Sequence, residues 1–380
     1  MSTLKVTNIE SPSGGGVSAK INDIGGGQLS NRNLIINGAM RVAQRGTSNS
    51  GQDAYAADRF NLQSSSADTT ISQEDVASGT DPYNLGLRKH ARITNTSTTG
   101  ASNGYRILRQ RIEAQNIACS GWQHTSTTSY ITLSFWVKAS VSQEYYGLVR
   151  TEDAPRQVYA FSLGTIGTTW TKVTKTIPGA AANTIANDNG AGLNVDLYPW
   201  LAGDFTNNNP LETWAAEDAS NYLPDMSNTW ASTAGATFDV TGVQLEVGDL
   251  ATSFEHRSYD DELQRCMRYF QMLPNGISAT RSASGVVYTN ARLEGSIAIP
   301  RMRAAPTTNA SDGTATISTG MLDVNYGNET NAELNFIVTS GSSGHILNPN
   351  YINTNNAGNN LGTSFLFGFT TEDIYISAEL

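Results

Sequence analysis

Cysteine is almost missing from this chain: Cys119 and Cys266 are the only two in 380 residues, and they lie far apart. A disulfide framework therefore has no material. Both sulfurs read as small buried hydrophobes, and synthesis in a reducing cytoplasm is expected. Positive charge is scarce too, with 24 Lys and Arg against 34 Asp and Glu and a net charge of −10. A nucleic-acid binder needs basic stripes to neutralise phosphate, so that class is set aside. No apolar run is long enough to span a bilayer, so no membrane insertion is expected. The start, Met1 to Val6, has no apolar core of a signal peptide. Catalytic and metal motifs are lacking as well. His90, His124, His256 and His345 are scattered, with no His-x-x-x-His, Cys-x-x-Cys or Gly-x-Ser-x-Gly pattern. His256, between Glu255 and Arg257, reads as a structural hydrogen-bonding residue. The triple glycines Gly14–Gly16 and Gly25–Gly27 are followed by no Gly-Lys-Ser/Thr, so they form no phosphate loop.

What is abundant is Gly, Ser, Thr and Asn, the composition of many short strands joined by tight turns. Ile131, Leu133, Phe135 and Val137 alternate with Thr132, Ser134 and Trp136, which predicts a strand buried on one side. Segments 69–73, 90–94, 105–112, 145–150, 158–163, 170–177 and 192–198 continue at sandwich spacing. Residues 200–235 form a long polar insertion, and loops of that length are commonly functional. Residues 1–31 are glycine-hinged and core-poor, an arm for assembly or anchoring.

The chain is organised around the stretch from Phe238 to Leu273. Phe238 and Val240 share one face, and beyond Gly242 the apolar set becomes Val243, Leu245 and Val247. That one-residue slip predicts a β-bulge at the glycine. Leu263, Cys266, Met267, Phe270 and Leu273 then recur at helical spacing, predicting a connecting helix over 258–275 that Pro274 ends. Shorter alternating segments follow. The expected fold class is all-β: a sandwich over 32–257, the helix, and a second smaller β-domain over 276–380.

Two blocks carry a family resemblance. One is Asn33-Leu-Ile-Ile-Asn-Gly-Ala-Met-Arg-Val-Ala-Gln-Arg-Gly-Thr47 with Asp58-Arg-Phe60; the other runs from Thr241 through Phe254-Glu-His-Arg-Ser-Tyr259 to Tyr269. Together they resemble bacteriophage tail-fibre and virion surface proteins of the marine and cyanobacterial type. Thr132-Leu-Ser-Phe-Trp-Val-Lys-Ala139 and Thr169-Trp-Thr-Lys172 are similar to core strands of jelly-roll carbohydrate-binding modules. The resemblance implies a jelly roll, a virion-surface location after synthesis in the host cytoplasm, and a homotrimer by analogy with phage fibres. It further implies attachment to other virion proteins through the arm, adhesion to host surface glycan, and no catalysis. A capsid-attached decoration protein and a polysaccharide-degrading tailspike are the alternatives, although a tailspike of that kind usually needs a long parallel β-helix.

Candidate site residues follow. Flat aromatic faces stack on pyranose rings while amide and carboxylate groups fix the hydroxyls, so Trp136, Trp200, Trp214, Tyr222 and Trp230 are candidate glycan contacts. Packing against a neighbouring subunit uses the same residue types. Jelly-roll carbohydrate modules often hold a structural Ca2+; Asp188 and Asp196 are the candidate ligands, and no other cofactor is expected. The acid pairs Glu152/Asp153, Glu217/Asp218 and Glu372/Asp373 would serve a glycosidase only if two carboxylates faced each other across a cleft.

Overall fold

The alternating segments become strands, and their pairing fixes the layers. The computed structural model describes residues 31–96 and 104–273, the C-terminal strands named below, 302–304 and 374–380. The expected arm, residues 1–31, lies outside the described residues apart from Asn31.

The first compact unit runs to Tyr259 and includes Leu380. Its strands are β1 (Ser48–Ser50), β2 (Ala54–Tyr55), β3 (Asn61–Ser64), β4 (Thr69–Asp75), β5 (Lys89–Asn95), β6 (Tyr105–Glu113) and β7 (Tyr130–Ala139). β8 (Gln143–Thr151), β9 (Gln157–Ile166), β10 (Thr171–Pro178), β11 (Ala191–Leu201), β12 (Trp214–Ala216) and β13 (Thr237–Val247) complete it. They form two antiparallel sheets, ordered β1-β4-β5-β13-β7-β10 (sheet A) and β12-β9-β8-β11-β6-β3-β2 (sheet B). Successive strands cross repeatedly from one sheet to the other, so the unit is a jelly-roll sandwich. Ile131, Leu133, Phe135 and Val137 from β7 meet Tyr145, Phe161, Leu193, Val195 and Leu197 from sheet B in one core.

The bulge stands where the phase slip put it. The β13–β7 register shifts between Thr241 and Gln244, and Gly242 has φ +64°. Phe238, Val240, Val243 and Leu245 are all buried as a result.

The two blocks of the resemblance meet here. Asn33, itself buried, accepts from the Ile35 and Leu245 N–H groups through Oδ1 at 3.0 and 3.1 Å. Its Nδ2 donates to the Val243 carbonyl at 3.1 Å. Gly38 accepts from the Val243 N–H, and a Cβ there would lie 2.0 Å from the Val243 oxygen. Glu255 accepts from the Asn33 N–H at 3.0 Å, and Arg257 donates to the Ile35 carbonyl at 3.1 Å. Residues of both blocks therefore form a clasp that seats the segment from Asn33 to Gly38 on the bulged strand.

The second compact unit runs from Asp260 to Glu379. The helix Tyr259–Met267 opens it, shorter than the expected 258–275, because Phe270–Leu273 is strand β14. Cys266 is buried and Leu263 and Met267 half-buried on the helix; Phe270 is buried from the strand. The other strands are β15 (Ala283–Thr289), β16 (Arg292–Ile299), β17 (Thr307–Thr308), β18 (Ile317–Met321), β19 (Val324–Glu329), β20 (Glu333–Gly341), β21 (Gly344–Ile352), β22 (Ser364–Phe369) and β23 (Ile374–Ser377). They build a three-stranded sheet, β14-β23-β17, and a seven-stranded one, β19-β18-β22-β15-β16-β21-β20.

Candidate functional site

The sandwich has two outer faces, and the insertion decides which of them is open. On sheet B the outward positions are largely apolar: Ile107, Tyr146, Leu148, Val158, Ala160 and Tyr198. Leu223 from the insertion is buried among them, with Phe205, Leu211, Tyr222 and Met226 packed around. The insertion thus lies down on sheet B. Burying a second apolar cluster offsets the cost of ordering so polar a loop.

Charges on this face are paired within the protein. Arg109 donates to both Asp196 oxygens at 2.7 Å, and the pair is buried. Burial alone would lower the Arg109 pKa, but Asp196 outweighs it and holds the guanidinium charged. Glu152 and Glu217 do come together, one from each of two predicted acid pairs. Arg150 reaches Oε1 of both at 2.7 and 2.8 Å, and Arg156 reaches Oε2 of both at 3.1 and 3.5 Å. The Tyr222 hydroxyl donates to Glu217 at 2.9 Å. Every oxygen of the two carboxylates is engaged by a neighbour. Glu372/Asp373 lies outside the described residues.

Two of the expected glycan contacts, Trp230 and Trp200, are corrected here, while Trp214 and Tyr222 are partly exposed like Trp136 but engaged within the protein. Trp230 is 0% exposed, its indole N–H donating to the Thr237 carbonyl at 3.2 Å, so it offers no face to a sugar. A bulge between Leu197 and Trp200 turns Trp200 inward, where it is 4% exposed. Trp214 is half-buried against Tyr159, centroids 5.4 Å apart, and donates to the Pro178 carbonyl at 2.6 Å. Tyr222 serves the ion-pair network. The calcium reading loses its ligands: Asp196 faces a guanidinium, while Asp188 caps its own turn by accepting from the Gly190 N–H at 2.8 Å. Among the described residues no group of three or more His, Cys, Asp or Glu could hold a metal. Cys119 is exposed rather than buried. His256 is structural as expected, its Nε2 2.8 Å from the Leu85 carbonyl oxygen.

Sheet A is open on its outer side along β10 and the adjoining part of β7, while Ser134, Asp239, Thr241, Gln244 and Glu246 are buried. Trp136 stands half-exposed in the middle of β7, opposite Lys172 on β10 and Thr241 on β13. Ser134 and Lys138 flank it along the strand, and Thr174 is exposed beyond. Gly242 keeps this surface low, since a Cβ there would meet Leu87 at 2.7 Å and Trp136 at 3.3 Å.

Trp170 is the residue that sequence reasoning missed. It shares the parity of Lys172 and Thr174, and the register places it diagonally from Trp136. The Lys138 ammonium lies 4.8 Å from its ring centroid, and the His90 ring meets it edge-on at 5.4 Å. Beneath, Asp239 accepts both Arg92 donors at 2.8 Å, with Lys138 Nζ and His90 Nε2 each 3.4 Å away. Burial would raise the Asp239 pKa, yet the Arg92 and His90 hydrogen bonds overcome it and bring it down to about 2.

No protein-family model matches the chain, and no curated protein matches it. Solved structures similar to the sandwich include the enzymatically active domain of tailspike protein 4 of bacteriophage CBA120. That match has 13% identity and a TM-score of 0.31, over 57% of this chain and 22% of that one, so it spans about a fifth of the tailspike structure. A putative sugar binding protein from Bacteroides thetaiotaomicron is similar at 11% identity and a TM-score of 0.29, over 57% of this chain and 100% of that one. A family 11 carbohydrate-binding module from Clostridium thermocellum is similar at 12% identity and a TM-score of 0.26, over 54% and 98%. The strand pairing fixes the fold independently of these likenesses: the chain's first unit is an all-β jelly roll, similar in kind to carbohydrate-binding modules.

Proposed function

We propose that this chain is a non-catalytic glycan-binding protein of a bacteriophage surface, a tail fibre that adheres to host polysaccharide through the outer face of sheet A. One observation carries the reading. Two half-exposed indoles, Trp136 and Trp170, sit diagonally on the open β10 side of the sheet among Thr174, Lys138 and Lys172. A pyranose lays its C–H surface on a flat ring, and hydroxyl and ammonium groups fix its oxygens. Against catalysis stands the carboxylate pair Glu152 and Glu217, whose oxygens are all taken by Arg150, Arg156, Asn194 and Tyr222. The phage setting rests on the two sequence blocks. The homotrimer and attachment through residues 1–31 belong to the same proposal.

Host envelope polysaccharide should bind the purified chain and release no sugar fragments. Trp136→Ala should weaken that binding at least ten-fold while leaving the melting temperature nearly unchanged. Equal binding by the variant, or cleavage of the polysaccharide, would overturn the reading. Antibody labelling of virions should mark the tail; label on the capsid would make the chain a decoration protein.

A further inference from the structure

We infer that the open face of sheet A selects an acidic glycan, one whose pyranose rings carry carboxylates, as in a polyuronate. This rests on the proposed stacking at Trp136 and Trp170 and adds the chemistry of the ligand.

The inference starts from a contrast in charge. The chain as a whole carries −10. Around the two indoles, however, Asp239 and Glu246 are buried, and the next acid on this face, half-exposed Glu74 on β4, lies beyond His90. Asp239 is 1% exposed and is held by Arg92 through two hydrogen bonds. Glu246 is 2% exposed and accepts from the Thr252 N–H and hydroxyl at 2.8 and 2.7 Å. What this part of the face shows to solvent is cationic. Lys172 is exposed directly opposite Trp136, and among the described residues no acidic group pairs with its ammonium. Lys138, half-exposed, lies over the Trp170 ring. Its ammonium is also ion-paired with Asp239 at 3.4 Å, so Lys172 is the cation left without an acidic partner.

Neutral sugars need no such lysine. A uronate ring laid on an indole carries its carboxylate at the ring's rim, where Lys172 stands beside Trp136 and Lys138 beside Trp170. An ammonium–carboxylate contact at a half-exposed site is charge-assisted and weakens with salt.

The test is calorimetric titration of the full chain with oligogalacturonate and with the same oligomer after reduction of its carboxyl groups. Oligogalacturonate should bind, at least ten-fold more tightly than the reduced oligomer, with affinity falling as salt rises. Lys172→Gln should erase most of that preference, bringing the affinity for oligogalacturonate close to that for the reduced oligomer. Equal affinity for the two oligomers, with Trp136→Ala abolishing both, would overturn the acidic selectivity while the stacking site stands. An acidic preference that Lys172→Gln leaves intact would likewise overturn it, reducing the lysine to a guard of the β10 sheet edge. Oligogalacturonate binding untouched by Trp136→Ala and Trp170→Ala would remove both the selectivity and the site. No binding of either oligomer would also count against the inference.

Discussion

The two outer faces of the sandwich put similar side chains to opposite uses. Sheet B's outer face carries arginines, carboxylates and tyrosines, and the insertion lies on it; Arg109, Asp196 and Tyr198 there are nearly lost to solvent. Sheet A's outer face carries lysines, threonines and two tryptophans, and on the β10 side of Trp136 it stays open. The difference teaches what a polar pattern on a strand means. Where partners come from within the chain, a buried ion pair orders a loop on a sheet, and removing one partner is costly. Where they do not, the same alternation leaves groups for an outside ligand.

The comparison breaks most visibly on sheet B. Arg109→Ala strands the Asp196 carboxylate in the interior and should cost roughly 3–5 kcal/mol in denaturant unfolding. Replacing both by leucine should recover most of that loss; a double variant no better than the single one would show that the charge is not what matters. Trp230→Ala, which empties a core site, should cost about 3–5 kcal/mol. Asn33→Ala leaves buried groups of Val243 and Leu245 without partners and should cost roughly 1–3 kcal/mol; an unchanged melting temperature would show that the clasp is not needed.

The charge under Trp170 sharpens the other side. The folded Asp239 pKa, about 2, lies below the ordinary carboxylate value of 3.8. Its contribution, roughly 2 kcal/mol, is therefore present above the ordinary value and is lost as pH falls from 3.8 through about 2. Asp239→Asn should flatten the stability profile in that window; a profile identical to the parent's would contradict the ion pairing. The smallest effect belongs to Trp136→Ala, which should change stability by less than about 1 kcal/mol, against the large loss at Trp230.

Much of the fold was legible because alternation is a local signal. The Gly242 slip marked the bulge, and Ile131–Val137 marked a core strand. The helix was overextended because Phe270 continues its apolar spacing although β14 pairs with β23. The site was less legible for a related reason. Trp200 and Trp230 read from sequence as part of the insertion, and so as exposed, yet Trp200 belongs to strand β11, where a bulge turns it inward, and long-range contacts bury Trp230. Trp170 could be joined to Trp136 only through the β7–β10 register, which no single segment contains. Residues of the two resemblance blocks, far apart in sequence, meet in the Asn33–Val243 clasp, which neither block contains by itself.

The central claim concerns which tryptophans meet the glycan, and the chain has six of them. Fluorotryptophan NMR of the full chain, titrated with host surface polysaccharide fragments, reads each indole separately once single Trp→Phe variants have assigned the signals. The account predicts saturable shifts at Trp136 and Trp170, with Trp122, Trp200 and Trp230 unmoved. Shifts confined to Trp214, or none at any indole under conditions where the fragments bind, would contradict it.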